Sequence, residues 1–313
     1  MKNILISGIT GFVGKNLSTY LLGKQYRLNN LGRKPSLENG NIGFTWNNLD
    51  ELRRNSIEVI IHLAGKAHDI KNTSNDQDYF TVNTELTKEL FDLFLQTDSK
   101  DFIYFSSVKA VADSVKGFLT EDEPASPLTP YGKSKLKAEE YILSKTVPEG
   151  KRVFIIRPCM IHGPGNKGNL NLLYKVVQKG IPYPLAAFGN QRSFLSIANL
   201  NYVIEKLISD PSVPGGIYNV ADDTPLSTNE VIRIIAETLG NKPKLWSVSP
   251  SFVRAIAVIG DKLRLPLNTE RLKKLTENYV VSNEKIKRAL NISMLPVSSR
   301  EGLLQTILSF RTS

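Results

Sequence analysis

Several scarcities narrow the field before any motif is read. The chain has one cysteine, Cys159, so no disulfide can close within it. Its three histidines, His62, His68 and His162, lack the carboxylate or thiolate spacing of a metal site, and no metal is expected. Long apolar runs are missing as well. The stretch AIAVIG at 255–260 is flanked by Arg254 and Asp261 and falls far short of the roughly 20 residues that cross a bilayer, which excludes a spanning helix and leaves a surface-docked one open. At the N-terminus ILISG meets glycine before any apolar segment of useful length. No cleavable signal is recognised there, and a cytoplasmic location is expected. Internal repeats and low-complexity tracts are also absent.

Cationic residues are plentiful, but a basic run is not. The 40 Lys and Arg are dispersed among 30 Asp and Glu, for a net charge of +10, without an interleaved aromatic platform. That pattern suits a polyanionic small molecule better than a nucleic acid. At 313 residues with 41% hydrophobic content, the chain has material for one large or two intimately packed domains.

Short apolar segments alternate with stretches of helical spacing. NILISG (3–8), YRLNNLG (26–32), EVIIHLAG (58–65), DFIYFSS (101–107) and RVFIIRP (152–158) read as strands, with helices following the first and covering 81–96 and 132–145. Strand and helix in alternation predict an α/β fold, a doubly wound parallel sheet covered on both faces. Beyond Pro158 glycine and proline crowd 163–168 and 180–190. A strand GIYNV (216–220) and helices over 228–239 and 299–310 follow. The expected division is a dinucleotide-binding domain over 1–160 and a smaller, irregular substrate lobe over 161–313, with parts of 191–222 returning to the first domain.

SGITGFVG places Gly8, Gly11 and Gly14 between the first strand and the first helix. Missing side chains there allow a tight turn, close approach of a pyrophosphate to backbone amides, and helix packing on the strand. The helix N-terminus then meets the phosphates with its partial positive charge. Where an acid would hold the 2′-hydroxyl of NAD, the chain offers Gly32 and Arg33. A guanidinium suits a 2′-phosphate, which leans the cofactor toward NADP, although Arg33 could equally lie on the adenine or be a solvated charge, so NAD stays open.

YGKSK at 131–135 sets Tyr131 and Lys135 four residues apart, on one face of a helix. A tyrosine ionises near pH 10, and a neighbouring ammonium makes the phenolate accessible near neutrality. Lys135 can also hold the ribose of a nicotinamide nucleotide. YFSSV puts Ser106 and Ser107 at the carboxyl edge of the sheet, where ligands of open α/β folds bind, and Ser107 is the candidate partner for the substrate oxygen. His62, inside an apolar strand, reads as a satisfied buried imidazole. Cys159, with no evident base, reads as a small wall residue and not as a nucleophile.

Together with VIIHLAGKAH, VNTELTKELF, YFSSVKAV, PYGKSKLKAEE, IIRPCMIHGPG, QRSFLSIANL and GIYNVADDTPLS, the glycine turn makes nearly the whole chain resemble the extended short-chain dehydrogenase/reductase family, in its branch of nucleotide-sugar epimerases, dehydratases and reductases. The resemblance implies that Thr10, Phe12 and Val13 join the glycines at the cofactor. By the same likeness Asn48 and Leu49 flank the adenine, Leu63, Ala64 and Gly65 line the cofactor, Asn83 helps order Lys135, and Pro158, Cys159 and Met160 approach the nicotinamide. Lys109, Asn169 and Arg192 would face a nucleotide-sugar, Arg192 at its diphosphate. Arg271 is a further phosphate candidate, in competition with Lys273 and Lys274. A homodimer seam through helices near 86–96 and 132–145 is common in such relatives.

Relatives that dehydrate a hexose carry an Asp-Glu pair after the strand-end hydroxyl residue, whereas Val108 and Lys109 follow Ser107 here. Two reactions at sugar C4 remain, epimerisation and reduction of a 4-keto sugar, and they share Ser107, Tyr131 and Lys135. A non-catalytic NADP-binding sensor is the alternative of a different class. Two departures stand out: His162 replaces a usual tyrosine, a change expected to alter substrate fit, and Ala112 and Asp113 replace the usual residues of the loop over the sugar.

Overall fold

The computed structural model describes residues 2–34, 43–67, 75–166, 168–263 and 268–311; His68 lies outside them, as do the side chains of Asn169 and Lys274. Seven strands form one parallel sheet: β1 (Asn3–Ser7), β2 (Arg27–Gly32), β3 (Gly43–Thr45), β4 (Val59–His62), β5 (Asp101–Phe105), then, past the short β6 (Phe118–Leu119), β7 (Arg152–Pro158), and, past β8 (Met160–His162) and β9 (Phe194–Ser196), β10 (Gly216–Val220). Their spatial order is β10-β7-β5-β4-β1-β2-β3. The order reverses on either side of β1 and β4, the crevice where a doubly wound sheet binds its ligand. β11 (Val280–Val281) pairs in parallel with β6, and β8 with β9.

The period-2 alternation of each strand sorts its side chains between two cores. Ile4 and Ile6, Ile103, and Phe154 and Ile156 point to one face with Leu17 and Leu21 of α1 (Phe12–Gly23). Leu5, Phe102 and Tyr104, and Ile155 point to the other, against Phe91 and Phe94. On that second face α2 (Asp76–Phe80) runs through a wide π-type turn, Thr81–Glu85, into α3 (Leu86–Gln96), and α4 (Pro130–Leu143) lies beside it. The helix expected over 81–96 thus has an extra turn before it, capped by the Asn75 side chain accepting from Gln77 N. The strand expected over 58–65 pairs only from Val59 to His62, because the chain then turns away toward the ligand crevice.

The second half is more helical than its glycine and proline content implies. α5 (Asn169–Gln178), α6 (Ile197–Ser209), α7 (Thr228–Thr238), α8 (Pro250–Leu263), α9 (Thr269–Thr276), α10 (Glu284–Ala289) and α11 (Ser299–Arg311) account for most of it. α6 packs on α1, with Leu200, Val203, Ile204 and Leu207 fully buried in the first core, and β10 adds the outer strand beside β7.

Candidate active site

At the carboxyl edge, β1 ends in the glycine turn. Gly8 adopts φ +77°, a left-handed conformation that glycine alone takes freely, and a Cβ on it would stand 2.7 Å from Ala64 N. A Cβ on Gly14 would stand 2.3 Å from the Gly8 carbonyl oxygen. Packing within the chain therefore explains both. Gly11 is different: it is exposed, and a Cβ there would meet only the Gly8 oxygen, at 3.3 Å. It is also the N-cap of α1, without a side-chain cap and without an acid in the first turn. Uncapped amides behind a bare, outward backbone fit a pyrophosphate. Thr10 is exposed beside it, Phe12 and Val13 are half-buried, and Val13 packs on the first core. Gly14→Ala is expected to displace the turn and to cost about 1–3 kcal/mol of stability, measurable by urea denaturation; a variant as stable as the parent would show that the turn relaxes freely.

Leu63, Ala64 and Gly65 follow β4 into the same crevice. A Cβ on Gly65 would lie 3.0 Å from Asn83 Oδ1 and 3.1 Å from Lys135 Nζ, so the bare backbone is what lets this strip pass over Lys135. Asn83 Nδ2 donates to the Lys66 carbonyl (3.0 Å) and to Ser134 Oγ (2.9 Å), while its Oδ1 accepts from Lys66 N (2.7 Å). Asn83 thus clamps the strip to the residue preceding Lys135, an indirect hold on the lysine. Arg33 is exposed just past β2. Asn48 is exposed with its Nδ2 on Glu51 Oε1 (3.2 Å), and Leu49 packs on the second core.

β5 delivers the two serines, and the structure separates them. Ser106 Oγ donates to Glu139 Oε1, and Arg157 grips the same buried carboxylate through Nε (3.1 Å to each oxygen) and Nη2 (2.5 Å to Oε2). Ser107 is extended (φ −164°), accepts from Lys109 N (3.2 Å), and faces the Tyr131 phenol. α4 begins at Pro130 with Thr129 Oγ1 accepting from Gly132 N (3.2 Å), and a Cβ on Gly132 would sit 2.3 Å from the Lys109 carbonyl oxygen. The glycine therefore lets α4 close on the Ser107 turn. Asp113 fastens the same junction, its Oδ2 accepting from Leu128 N (2.7 Å) and Thr129 N (3.3 Å).

Lys135 Nζ is buried, donates to the Phe105 carbonyl (2.8 Å) and lies 5.0 Å from the centre of the Tyr104 ring. Burial lowers its pKa to about 8, opposed by the charge of Glu139 one turn on. Tyr131, Lys135 and Glu139 thus descend one helical face as phenol, amine and carboxylate. Burial raises the Tyr131 pKa above the usual tyrosine value, and hydrogen bonding to Ser107 works against that rise. This departs from the expectation that Lys135 brings the phenol down toward neutrality: with the ammonium engaged at Phe105, desolvation governs the phenol.

β7 ends at Pro158, and Cys159 N donates to the Val220 carbonyl (3.1 Å). Cys159 is buried, and burial, with the nearby charge of Asp222, pushes its thiol well up, as suits a wall residue. Met160 is partly exposed beside it. Lys109 Nζ donates to the Asp113 carbonyl (2.9 Å) and stands 4.1 Å from the centre of the Tyr279 ring. Arg192 is half-buried. Its backbone bridges Leu226 and Tyr279, and its Nε donates to the Glu277 carbonyl (3.4 Å). Arg271 is exposed in the first turn of α9. Asn169 opens α5. The expectation for His162 is corrected: its ring is buried, with Nδ1 bonded to Thr306 Oγ1 of α11 (2.8 Å), so it braces the lobe instead of shaping a substrate surface. No group of three or more metal-ligating side chains occurs among the described residues.

Glu139, Arg157 and Gly132 were not singled out from the sequence, and Asp113 was noted there only as a departure from the usual loop residues, not for its hold on the start of α4. Signals for the first two existed: Glu139 continues the four-residue spacing of Tyr131 and Lys135, and Arg157 is a charge set behind the apolar run 153–156 near the inner end of its strand, which demands a buried partner.

Residues 4–221 match the NAD dependent epimerase/dehydratase family. The chain is 34% identical over 254 residues to the UDP-glucose 4-epimerase of Vibrio cholerae, covering 77% of each. It is 28% identical over 247 residues to the N-acetyl-alpha-D-glucosaminyl-diphospho-ditrans,octacis-undecaprenol 4-epimerase of Escherichia coli O157:H7, covering 77% of this chain and 73% of that one. In fold it is similar to MoeE5, solved in complex with UDP-glucuronic acid and NAD, with a TM-score of 0.75 over 99% of both chains at 21% identity. The chain is an enzyme of the extended short-chain dehydrogenase/reductase type and belongs to the NAD dependent epimerase/dehydratase family.

Proposed function

We propose that this enzyme transfers hydride at C4 of a nucleotide-activated sugar, most readily a UDP-sugar, as a 4-epimerase. The observation that supports the reading is the Tyr131 phenol hydrogen-bonded to Ser107, with Lys135 one turn on along α4 and against the strip at Gly65, and with Val108 and Lys109 where a dehydratase has its carboxylate pair. The names of the two relatives support the epimerase. When bound, an oxidised nicotinamide nucleotide would accept the hydride from C4 and return it to the opposite face of the sugar. The amides at the start of α1 and the strip 63–65 hold that nucleotide. Against the rise in pKa that its burial imposes, Tyr131 takes the proton of the C4 hydroxyl as a phenolate while the hydride leaves, and gives it back when the hydride returns, while Ser107 fixes that oxygen by a hydrogen bond. The charged Lys135 stabilises the phenolate left behind, and Glu139 keeps the lysine charged.

Exposed Arg33 favours a second reading, reduction of a 4-keto sugar with NADPH. Denaturing purified protein and assaying the released nucleotide separates the two. Retained NAD with interconversion of two UDP-sugars supports epimerisation; an empty site with NADPH-dependent consumption of a 4-keto sugar supports reduction. Binding without turnover of any sugar would leave a sensor and sink both. α3 and α4 are the proposed homodimer seam.

Arg192 is proposed to hold the diphosphate. Burial lowers its pKa while Glu277 and Tyr183 raise it, and a half-desolvated guanidinium binds phosphate oxygens strongly. Arg192→Ala is expected to raise KM for the nucleotide-sugar by about tenfold or more with cofactor affinity unchanged. Steady-state kinetics and nucleotide titration check this, and equal loss of both affinities would place the arginine elsewhere.

A further inference from the structure

The outer face of α8 takes no part in the site. Val253, Ala257 and Gly260 turn inward, toward Leu185 and Leu272. Phe252, Ile256, Ile259 and Leu263, spaced by four, three and four residues, form a continuous apolar stripe over three turns, 60%, 36%, 51% and 65% exposed. Trp246, just before the helix, is 58% exposed. Single exposed apolar side chains are ordinary, but a helical row of them marks a surface that something covers.

The charge around this stripe says what. Residues 241–275 carry eight Lys and Arg against two carboxylates, +6 of the chain's +10. The carboxylate on α8, Asp261, is spent within the fold: Oδ1 accepts from Thr269 N (3.1 Å) and Oδ2 from Thr269 Oγ1, holding the first turn of α9. Arg254 and Lys262 are left as the exposed charges beside the stripe. Two copies meeting face to face would set Arg254 and Lys262 of one against those of the other, which disfavours a second copy of this chain as the cover. At 14 residues the helix is about 21 Å long, too short to span a bilayer but suited to lying in its surface.

We propose that α8 docks this enzyme on the surface of an anionic phospholipid bilayer, the stripe sunk at the level of the acyl boundary and Arg254 and Lys262 among the headgroups. α8 packs on α9, whose C-terminal cap residue Glu277 receives Arg192, so the docked face adjoins the proposed diphosphate end of the site. The proposal does not depend on the chemistry at Tyr131.

Full-length protein should co-sediment with vesicles of phosphatidylcholine containing phosphatidylglycerol at least about tenfold better than with phosphatidylcholine alone, and less as salt is raised. Ile259→Asp and Lys262→Glu, both at exposed positions, should each cut that binding by about tenfold with unchanged thermal unfolding. Sedimentation no greater than without vesicles, or Ile259→Asp binding as well as the parent, would overturn the proposal. So would a parent dimer in solution that Ile259→Asp converts to monomer, since a second copy would then be the cover.

Discussion

Tyr131→Phe is expected to lower turnover by at least about a hundredfold, some 2.7 kcal/mol of transition-state stabilisation, while the affinity for the nicotinamide nucleotide stays within about twofold. The substitution removes one oxygen and leaves the ring, so the half-buried packing of Tyr131, its edge-on contact with Tyr79 (centroids 6.5 Å apart) and the α4 N-terminus all persist. What disappears is the hydroxyl proposed to exchange the proton at C4. Ser107 ionises far too high to replace it, and Lys135 is occupied by the Phe105 carbonyl. Comparing kcat of the two proteins on the same UDP-sugar, with a parallel nucleotide titration, tests this. Unchanged turnover would remove Tyr131 from the chemistry, and a matching loss of nucleotide affinity would make it a binding residue.

His62→Gln is expected to flatten the acid sensitivity of the fold. His62 is fully buried, and its bonds assign one tautomer. Thr87 Oγ1 gives its proton to the Asn83 carbonyl (2.7 Å), so it accepts from His62 Nε2–H (2.9 Å), and His62 Nδ1 in turn accepts from Ser7 Oγ (2.6 Å). Ser7 Oγ itself accepts from Ala64 N (3.2 Å), so a second proton on the ring would need Ser7 to turn its own proton away from Nδ1 inside the core. Burial, with the Lys135 charge adding to it, lowers the pKa from 6.5 to about 3. Because the folded value lies below the unfolded one, the stability contribution is full above pH 6.5 and is lost as pH falls from 6.5 toward 3. The loss is about 1.4 kcal/mol per pH unit, roughly 5 kcal/mol over the whole window and about 2 kcal/mol by pH 5. Urea denaturation at pH 7 and pH 5 should show the parent losing about 2 kcal/mol more than His62→Gln; equal losses would mean the imidazole accepts its proton without penalty.

The sheet was readable from the sequence because its determinants are local. Residues 59–61 and 102–105 are unbroken apolar runs, and the glycine turn after β1 punctuates a strand and a helix that each have their own period. Ser107, Tyr131 and Lys135 were readable for a related reason: a strand end and a helical spacing of four fix where each side chain emerges. What the sequence hid depends on partners far along the chain. Nothing near Asp113 shows that its carboxylate takes the amides of Leu128 and Thr129, and nothing near His162 shows Thr306 at its Nδ1. The pKa of Tyr131 was misjudged because spacing reports which groups are neighbours but not how much water reaches them.

The short parallel pair of Phe118–Leu119 with Val280–Val281, backed by the Tyr279 hydroxyl on the Ala112 carbonyl (2.7 Å), ties the segment after Ser107 to a stretch more than a hundred and fifty residues later. On the ribosome, β1 to β5 can assemble while the rest of the chain is still being made. Residues 279–281 emerge last of the partners in this tie, so the β6–β11 pair cannot form until most of the chain has been made.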